Sequence, residues 1–387
     1  MIYNNLILNN NIFNQLIKTM ESNTIPNAFL FYGNDGIGKV AHAIEFSAAL
    51  LCNNPHNNTA CSECNSCKKI KINQHENINF ILPLSRKKPI KKNDSVLKSL
   101  TQNEIEDLQK MLKEKSNNPY YNIKNNNVQS ISINAIREIR RGISLSSFNN
   151  SWRINIIVDA EKLCYPRQEA ANALLKMLEE PHEKNLFILC SSKISQILDT
   201  ISSRCLKLYF TNLSNESIQN YLLNNHKTDL KKAEIISNIV NGNMILANEI
   251  LKIYDTLLSD LANTIDIILK NNINEWISFT SKFPNKKYNF ILLIDLLELF
   301  FSDIIILSKT NKANNIKFKN FIELMNQYIN KYKNTDWEYC LKIIHNCKNN
   351  INRNAYFALS AISLLFELNK AFNNNKFLIN ELESYQL

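Results

Sequence analysis

Five glycines serve a chain of 387 residues, and three of them, Gly33, Gly36 and Gly38, crowd into one stretch, FYGNDGIGKV at 31–40. A chain so poor in glycine places it where the backbone must turn sharply or come close to a ligand. The stretch follows a short apolar run, AFLFYG at 28–33, and opens a helical pattern, GKVAHAIEFSAALLC at 38–52. Strand, glycine loop and helix in that order suit phosphate binding. Backbone amides and the helix N-terminus would cradle the phosphates, and Lys39 would reach the outer ones. The plainer reading is a strand–turn–helix with glycine for tightness.

Val40 departs from that pattern. A hydroxyl residue at this position normally binds Mg²⁺, and valine offers no ligand. A second strand, RINIIVDAE at 153–161, ends in Asp159, as the metal-side strand of such a pocket should. The acid that orients the attacking water normally comes next, but Ala160 stands there. Glu161 lies one residue further on, and strand alternation directs it to the other face. Two losses that serve one reaction point to lost hydrolysis. Binding of ATP or ADP without Mg²⁺ stays open.

Further apolar runs at 77–84, 185–192 and 206–210 read as strands, with helical patterns at 132–144 and 168–180 between them. In the latter, Ala171, Leu174, Leu175 and Leu178 form one stripe. Strands alternating with helices predict an α/β fold with a parallel sheet covered on both faces. Residues 85–130 interrupt the alternation. They open with the basic run RKKPIKK and continue with a helix capped by Thr101 and Glu104, which reads as an insertion at the sheet edge. The basic run is either a solvated loop or a DNA contact. Beyond 210 strand signals stop. The expected organisation is an α/β domain over 1–210, a small helical module over 211–254 and an all-helical domain over 255–387.

The net charge of +10 fits a phosphate-bearing partner, but an AT-rich, Lys-rich genome would produce it as well. The greasiest segment, 289–307, carries Asp295, Glu298 and Asp303, too many acids for a membrane span. Asp295, Glu298 and Ser302 share a stripe, so it reads as a helix packed among helices. With no signal segment, a cytoplasmic protein without membrane partners is expected.

Nine cysteines without a secretion signal argue against a disulfide framework. Four of them, Cys52, Cys61, Cys64 and Cys67, follow the spacing C-x8-C-x2-C-x2-C. Each C-x2-C step lets two thiolates reach one ion, and four thiolates suit a structural, tetrahedral Zn²⁺. The alternatives are free thiols or another metal. Cys164, Cys190, Cys205, Cys340 and Cys347 read as small core residues.

The segments AANALLKMLEEP (170–181) and DTISSRC (199–205) resemble those of bacterial clamp-loader subunits of DNA polymerase III, which are AAA+ proteins. The resemblance implies an AAA+ P-loop-type parallel sheet with a zinc module, then a helical lid and an all-α collar domain. Two branches share these segments, a hydrolysing gamma/tau branch and a non-hydrolysing delta-prime branch. Val40 and Ala160 favour the second. So does Ile245, in a segment (241–250) that resembles the family's sensor 2 helix, where the hydrolysing branch carries an Arg. The insertion end NPYYNI (118–123) also resembles delta-prime sequences.

The resemblance implies that Arg204 of the SRC segment projects to a neighbouring subunit as an arginine finger. The alternative is a pair with a local carboxylate. It implies as partners gamma/tau and delta subunits, a sliding clamp and, through the complex, primed DNA. The branch contributes a subunit of the polymerase holoenzyme rather than an ATPase of its own, with an active gamma/tau-type ATPase as the alternative. Ser191 and Ser192 fall at the family's sensor 1 position, or bond locally. Arg140 and Arg141 read as a solvated pair or as DNA contacts.

Overall fold

The computed structural model describes residues 1–373 except 86–87, 92–93, 124–129, 146–150, 166, 271, 282–285, 311–315 and 354. The ends of the predicted basic run at 86–92 and part of the 85–130 insertion lie outside the described residues. Two compact units emerge. The first comprises Met1–Thr228 with Asn241–Ala247, and the second comprises Asp229–Val240 with Asn248–Leu387.

The first unit is built on five parallel strands, β1 (Ala28–Tyr32), β2 (Ile78–Ile81), β3 (Arg153–Val158), β4 (Asn185–Ser191) and β5 (Leu206–Tyr209). Their order across the sheet is β2-β3-β4-β1-β5. The helices are α1 (Asn10–Glu21), α2 (Lys39–Leu51), α3 (Asn65–Lys71), α4 (Gln102–Asn117), α5 (Ile133–Leu145), α6 (Glu169–Glu179), α7 (Asp199–Ser202) and α8 (Asn215–His226). The predicted α/β class with a parallel sheet holds.

Strand alternation sorts the core into two layers. Phe29 and Phe31 of β1, with Ile154 and Ile156 of β3, pack against Leu16, Ile44 and Phe46 of α1 and α2. Ala28, Leu30 and Ile157 face the other way, onto Ile136, Ala171, Leu174 and Leu178 of α5 and α6. A sheet covered on both faces explains why these strands read as continuous apolar runs rather than as alternating ones. The predicted stripe on α6 is the face that packs here, with Leu175 partly buried at its margin.

The insertion contributes α4, and its N-terminus is the predicted capping box. Glu104 N–H donates to Thr101 Oγ1 at 3.4 Å, and Thr101 N–H donates to Glu104 Oε2 at 2.9 Å. One expectation fails locally. β3 ends at Val158, Asp159 takes a left-handed conformation (φ 51°), and 160–163 form a short 3₁₀ turn. Strand alternation therefore does not aim Glu161; the turn does.

The second unit is helical among its described residues: α9 (Leu230–Val240), α10 (Met244–Lys270, whose first turn belongs to the first unit), α11 (Ile273–Ser281), α12 (Lys286–Thr310), α13 (Ile322–Lys331), α14 (Trp337–Asn352) and α15 (Phe357–Asn373). α12 is the greasy segment. Its Phe300, Phe301 and Ile304 are buried, while Asp295 and Glu298 share the ammonium of Lys348 on α14, at 2.6 and 2.8 Å. Asp303 is buried and accepts the backbone N–H groups of Lys317 and Phe318. Trp276 fixes α11 through its indole N–H to Ala361 O at 2.8 Å. No helix of the described residues is long and apolar enough to cross a membrane.

Candidate functional site

The C-terminal ends of β1, β3 and β4 converge on one pocket, the place where open parallel sheets bind ligands. The glycine loop leaves β1. Gly33 has φ 145°, and a Cβ there would stand 2.3 Å from Phe210 O. Gly36 has φ 76°, and its Cβ would fall 1.8 Å from Asn243 Oδ1. Gly36 O also accepts Met244 N–H at 3.0 Å. The chain's own backbone and side chains thus require these two glycines. Gly38 caps α2 in the left-handed region.

Lys39 is buried and turns back on its own loop, donating to Gly33 O at 2.8 Å and Asn34 O at 2.5 Å. Val40 lines the pocket with two methyl groups where a metal-binding hydroxyl would stand. Asp159 also lines it, with the Lys162 ammonium 3.1 Å from Oδ2. Ala160 is fully buried. Glu161 is buried, and its carboxylate accepts Ser191 Oγ–H at 2.6 Å and Ser192 Oγ–H at 3.3 Å. The two serines bond locally, although Ser192 lines the pocket as well, as does Ile245. The structure thus gathers Gly36, Gly38, Lys39, Val40, Asp159, Ser192 and Ile245 at one cavity, with Gly33 at its base beneath the Lys39 ammonium.

Sequence reasoning missed three groups. His42 is fully buried one turn into α2. It accepts Asn9 N–H at Nε2 (2.9 Å), so Nδ1 carries the proton and meets Gly38 O at 2.9 Å. Burial pushes its pKa down to about 4, and it stays neutral. Glu45, a turn later, accepts the N–H groups of Ile2 and Tyr3, and burial raises its pKa. An i, i+3 pair of polar residues on an otherwise apolar helix was the available signal. The third group is Lys115 with 119–123, the end of the insertion, which lines the pocket from outside the loop. Nothing in its spacing announced that position.

Arg204 follows α7. Its guanidinium donates to Thr200 O at 2.9 Å and pairs with Glu179 Oε1 at 2.9 Å, and the side chain remains 38% exposed. The local carboxylate weighed from the sequence is therefore present, and it belongs to the LEEP segment. Arg140 and Arg141 are exposed on α5.

The four cysteine sulfurs lie within 4.8 Å of one another. Cys52 and Cys64 Sγ are 3.9 Å apart, as are Cys61 and Cys67 Sγ. Zn–S bonds of about 2.3 Å in a tetrahedron place sulfurs about 3.8 Å apart, so the set fits that ion. The N–H groups of Cys61, Cys64 and Cys67 point at the sulfurs of Cys52, Cys61 and Cys64, at 3.3–3.5 Å, as suits thiolates. These donors could hold a metal ion. Cys190, Cys205, Cys340 and Cys347 are buried, and Cys164 is half-buried.

The sheet order, the glycine loop at the end of its inner strand and the Asp159 strand define a P-loop-type α/β domain with a four-cysteine module. The sequence profile described as "DNA polymerase III, delta subunit" matches residues 8–214. The chain belongs to that family, and its relatives make it a subunit of delta-prime type. A DNA polymerase III subunit delta' of Pseudomonas aeruginosa is 27% identical over 180 residues, 46% of this chain and 42% of that one. A subunit delta' of Buchnera aphidicola is 26% identical over 337 residues, 83% of each chain. A subunit gamma of the same organism is 31% identical over 171 residues, 43% of this chain and 44% of that one. The match thus spans less than half the length of the Pseudomonas and gamma relatives.

Proposed function

We propose that the chain is a non-hydrolysing subunit of a DNA polymerase III clamp loader. In this reading residues 1–210 form the nucleotide-binding-like domain, 211–254 a lid and 255–387 the collar that joins it to gamma/tau and delta subunits. The assembly works in the cytoplasm and places a sliding clamp on primed DNA. Cys52, Cys61, Cys64 and Cys67 hold a structural Zn²⁺. The chain turns over no ATP itself, and Arg204 serves a neighbour's site.

One observation carries this reading. The two groups that hydrolysis needs are replaced beside a loop that keeps its three glycines and Lys39. Val40 has no oxygen to offer Mg²⁺, and the nearest acid after Asp159 is engaged by Ser191 and Ser192. The exposed guanidinium of Arg204 supports the second half. Its pair with Glu179 lies at the surface, where an ion pair contributes about 0–1 kcal/mol, so a phosphate can displace the carboxylate at little cost.

The mechanism that follows is division of labour. The neighbour binds ATP and Mg²⁺. Arg204 neutralises charge on the equatorial oxygens of the transferring phosphoryl group, and its planar fork fixes their orientation. ATPase measurement on the isolated chain and on the reconstituted complex tests this. The isolated chain should show no turnover, and Arg204→Ala should lower the rate at the site it serves by about 10³. Turnover by the isolated chain that Lys39→Ala abolishes would establish a gamma/tau-type ATPase instead.

A further inference from the structure

The pocket beside the glycine loop is narrowed by the chain itself. The end of the insertion, just beyond α4, enters it: Lys115, Pro119, Tyr120, Tyr121, Asn122 and Ile123 all line the space. What remains is a cavity of about 60 Å³. Small-molecule sites run to about 300–1,000 Å³.

We propose that the Lys115–Ile123 segment is an internal plug of the glycine loop, occupying the space that a nucleoside triphosphate would need. This goes beyond the loss of hydrolysis. Val40 and Ala160 remove the reaction, while the plug removes the ligand.

The segment is built to stay in place. Tyr120 is 3% exposed, and its ring lies on the loop, with Cε1 3.3 Å from where a Gly38 Cβ would stand. Its hydroxyl accepts Ile7 N–H at 2.9 Å, and its ring meets Tyr221 edge-on at 5.4 Å. Asn118 tightens the turn, accepting Tyr120 N–H at Oδ1 and Tyr121 N–H at its carbonyl.

Lys115 is buried, and its ammonium donates to Pro119 O at 2.5 Å and Tyr121 O at 3.1 Å, curling the segment over the pocket. Its own carbonyl accepts the Tyr3 hydroxyl at 3.0 Å. Upstream, Asn73 Nδ2 donates to Leu112 O, tying α4 to the end of the cysteine module. Burial pulls Lys115 down to about 7, a cost that the segment bears in order to keep this amine inside.

The proposal is tested by binding rather than by turnover. Full-length wild type, Val40→Thr, Val40→Thr/Tyr120→Ala and Val40→Thr/Lys115→Met would be titrated with Mg-ATP by equilibrium dialysis. Amide exchange of residues 33–40 would be followed in parallel. Val40→Thr restores the metal hydroxyl but leaves the plug. The Tyr120 change removes the ring over Gly38. The Lys115 change frees the two carbonyls while keeping the stem, and serves where the first double variant fails to fold.

Wild type should bind no detectable ATP, and Val40→Thr should bind at most weakly. Either plug variant should bind at least about tenfold tighter than Val40→Thr, because a site that is rarely open loses affinity in proportion to its closed fraction. Exchange of the loop amides should accelerate by a similar factor. A folded plug variant that binds no better than Val40→Thr overturns the proposal. So does wild type that binds ATP without turnover, a result that would leave the proposed function standing.

Discussion

Two sites in the first unit carry motifs suited to charged ligands, and they have diverged. The cysteine cluster presents four sulfurs to a common centre, with backbone N–H groups oriented to stabilise them as thiolates. The glycine-loop pocket has turned inward. Lys39 bonds its own loop, Glu161 bonds serines, and Gly36 makes room for Asn243. In the cluster the donors are arranged so that they could take an ion from outside the chain. In the pocket each need is met from within. A motif can therefore persist as architecture after its ligand has gone, while four sulfurs gathered at one centre still fit an ion.

Removing the metal should have the largest effect and would break the comparison if it did not. An ion at a thousandfold excess over its Kd contributes about 4 kcal/mol. Chelation, or Cys64→Ser, should therefore lower the melting temperature of the first unit by roughly 10 °C, as thermal unfolding with metal analysis would read.

Acid should act next, through the helix that follows the glycine loop. His42 titrates near 6.5 in the unfolded chain and at about 4 when folded. Its depressed pKa means stability that is present above 6.5 and lost as pH falls toward 4. That amounts to about 3 kcal/mol for a buried group. Denaturant unfolding across that range should show the loss, and His42→Gln should flatten it.

Lys39→Ala sharpens the contrast further. In a working phosphate loop it would abolish turnover. Here it should destabilise the first unit by about 1–3 kcal/mol, because the carbonyls of Gly33 and Asn34 lose their buried donor. Wild-type stability in urea after this change would mean that the lysine still waits for a ligand. Glu179→Gln should have the smallest effect, below about 1 kcal/mol, since its pair with Arg204 is half exposed.

The sheet and the cysteine cluster were legible because each rests on a short-range rule. Strands buried on both faces read as runs such as Phe29–Phe31 and Ile154–Ile157, and thiolate spacing shows in C-x2-C. The capping box at Thr101 was legible for the same reason. What escaped lies in contacts far apart along the chain. Glu161 is aimed by a 3₁₀ turn that begins where Asp159 goes left-handed, and alternation cannot foresee such a break. Gly36 looked like a ligand's glycine until Asn243, some two hundred residues on, was found against it. Lys115 and Tyr120 sit in an insertion whose docking place only the folded chain reveals. The two-unit division likewise follows from contacts, with Asn241–Ala247 grouped with the sheet.

Under the proposed service of Arg204 to a neighbouring site, its pair with Glu179 has a kinetic consequence. A long side chain free in solvent must be searched for and then stilled by whatever recruits it. This one is already oriented, held by a carboxylate and by Thr200 O. An incoming oxyanion would exchange one acceptor for another without first freezing the arm. On the proposed role the pair would work as a holster, and salt that screens it would slow the draw by letting the arm wander.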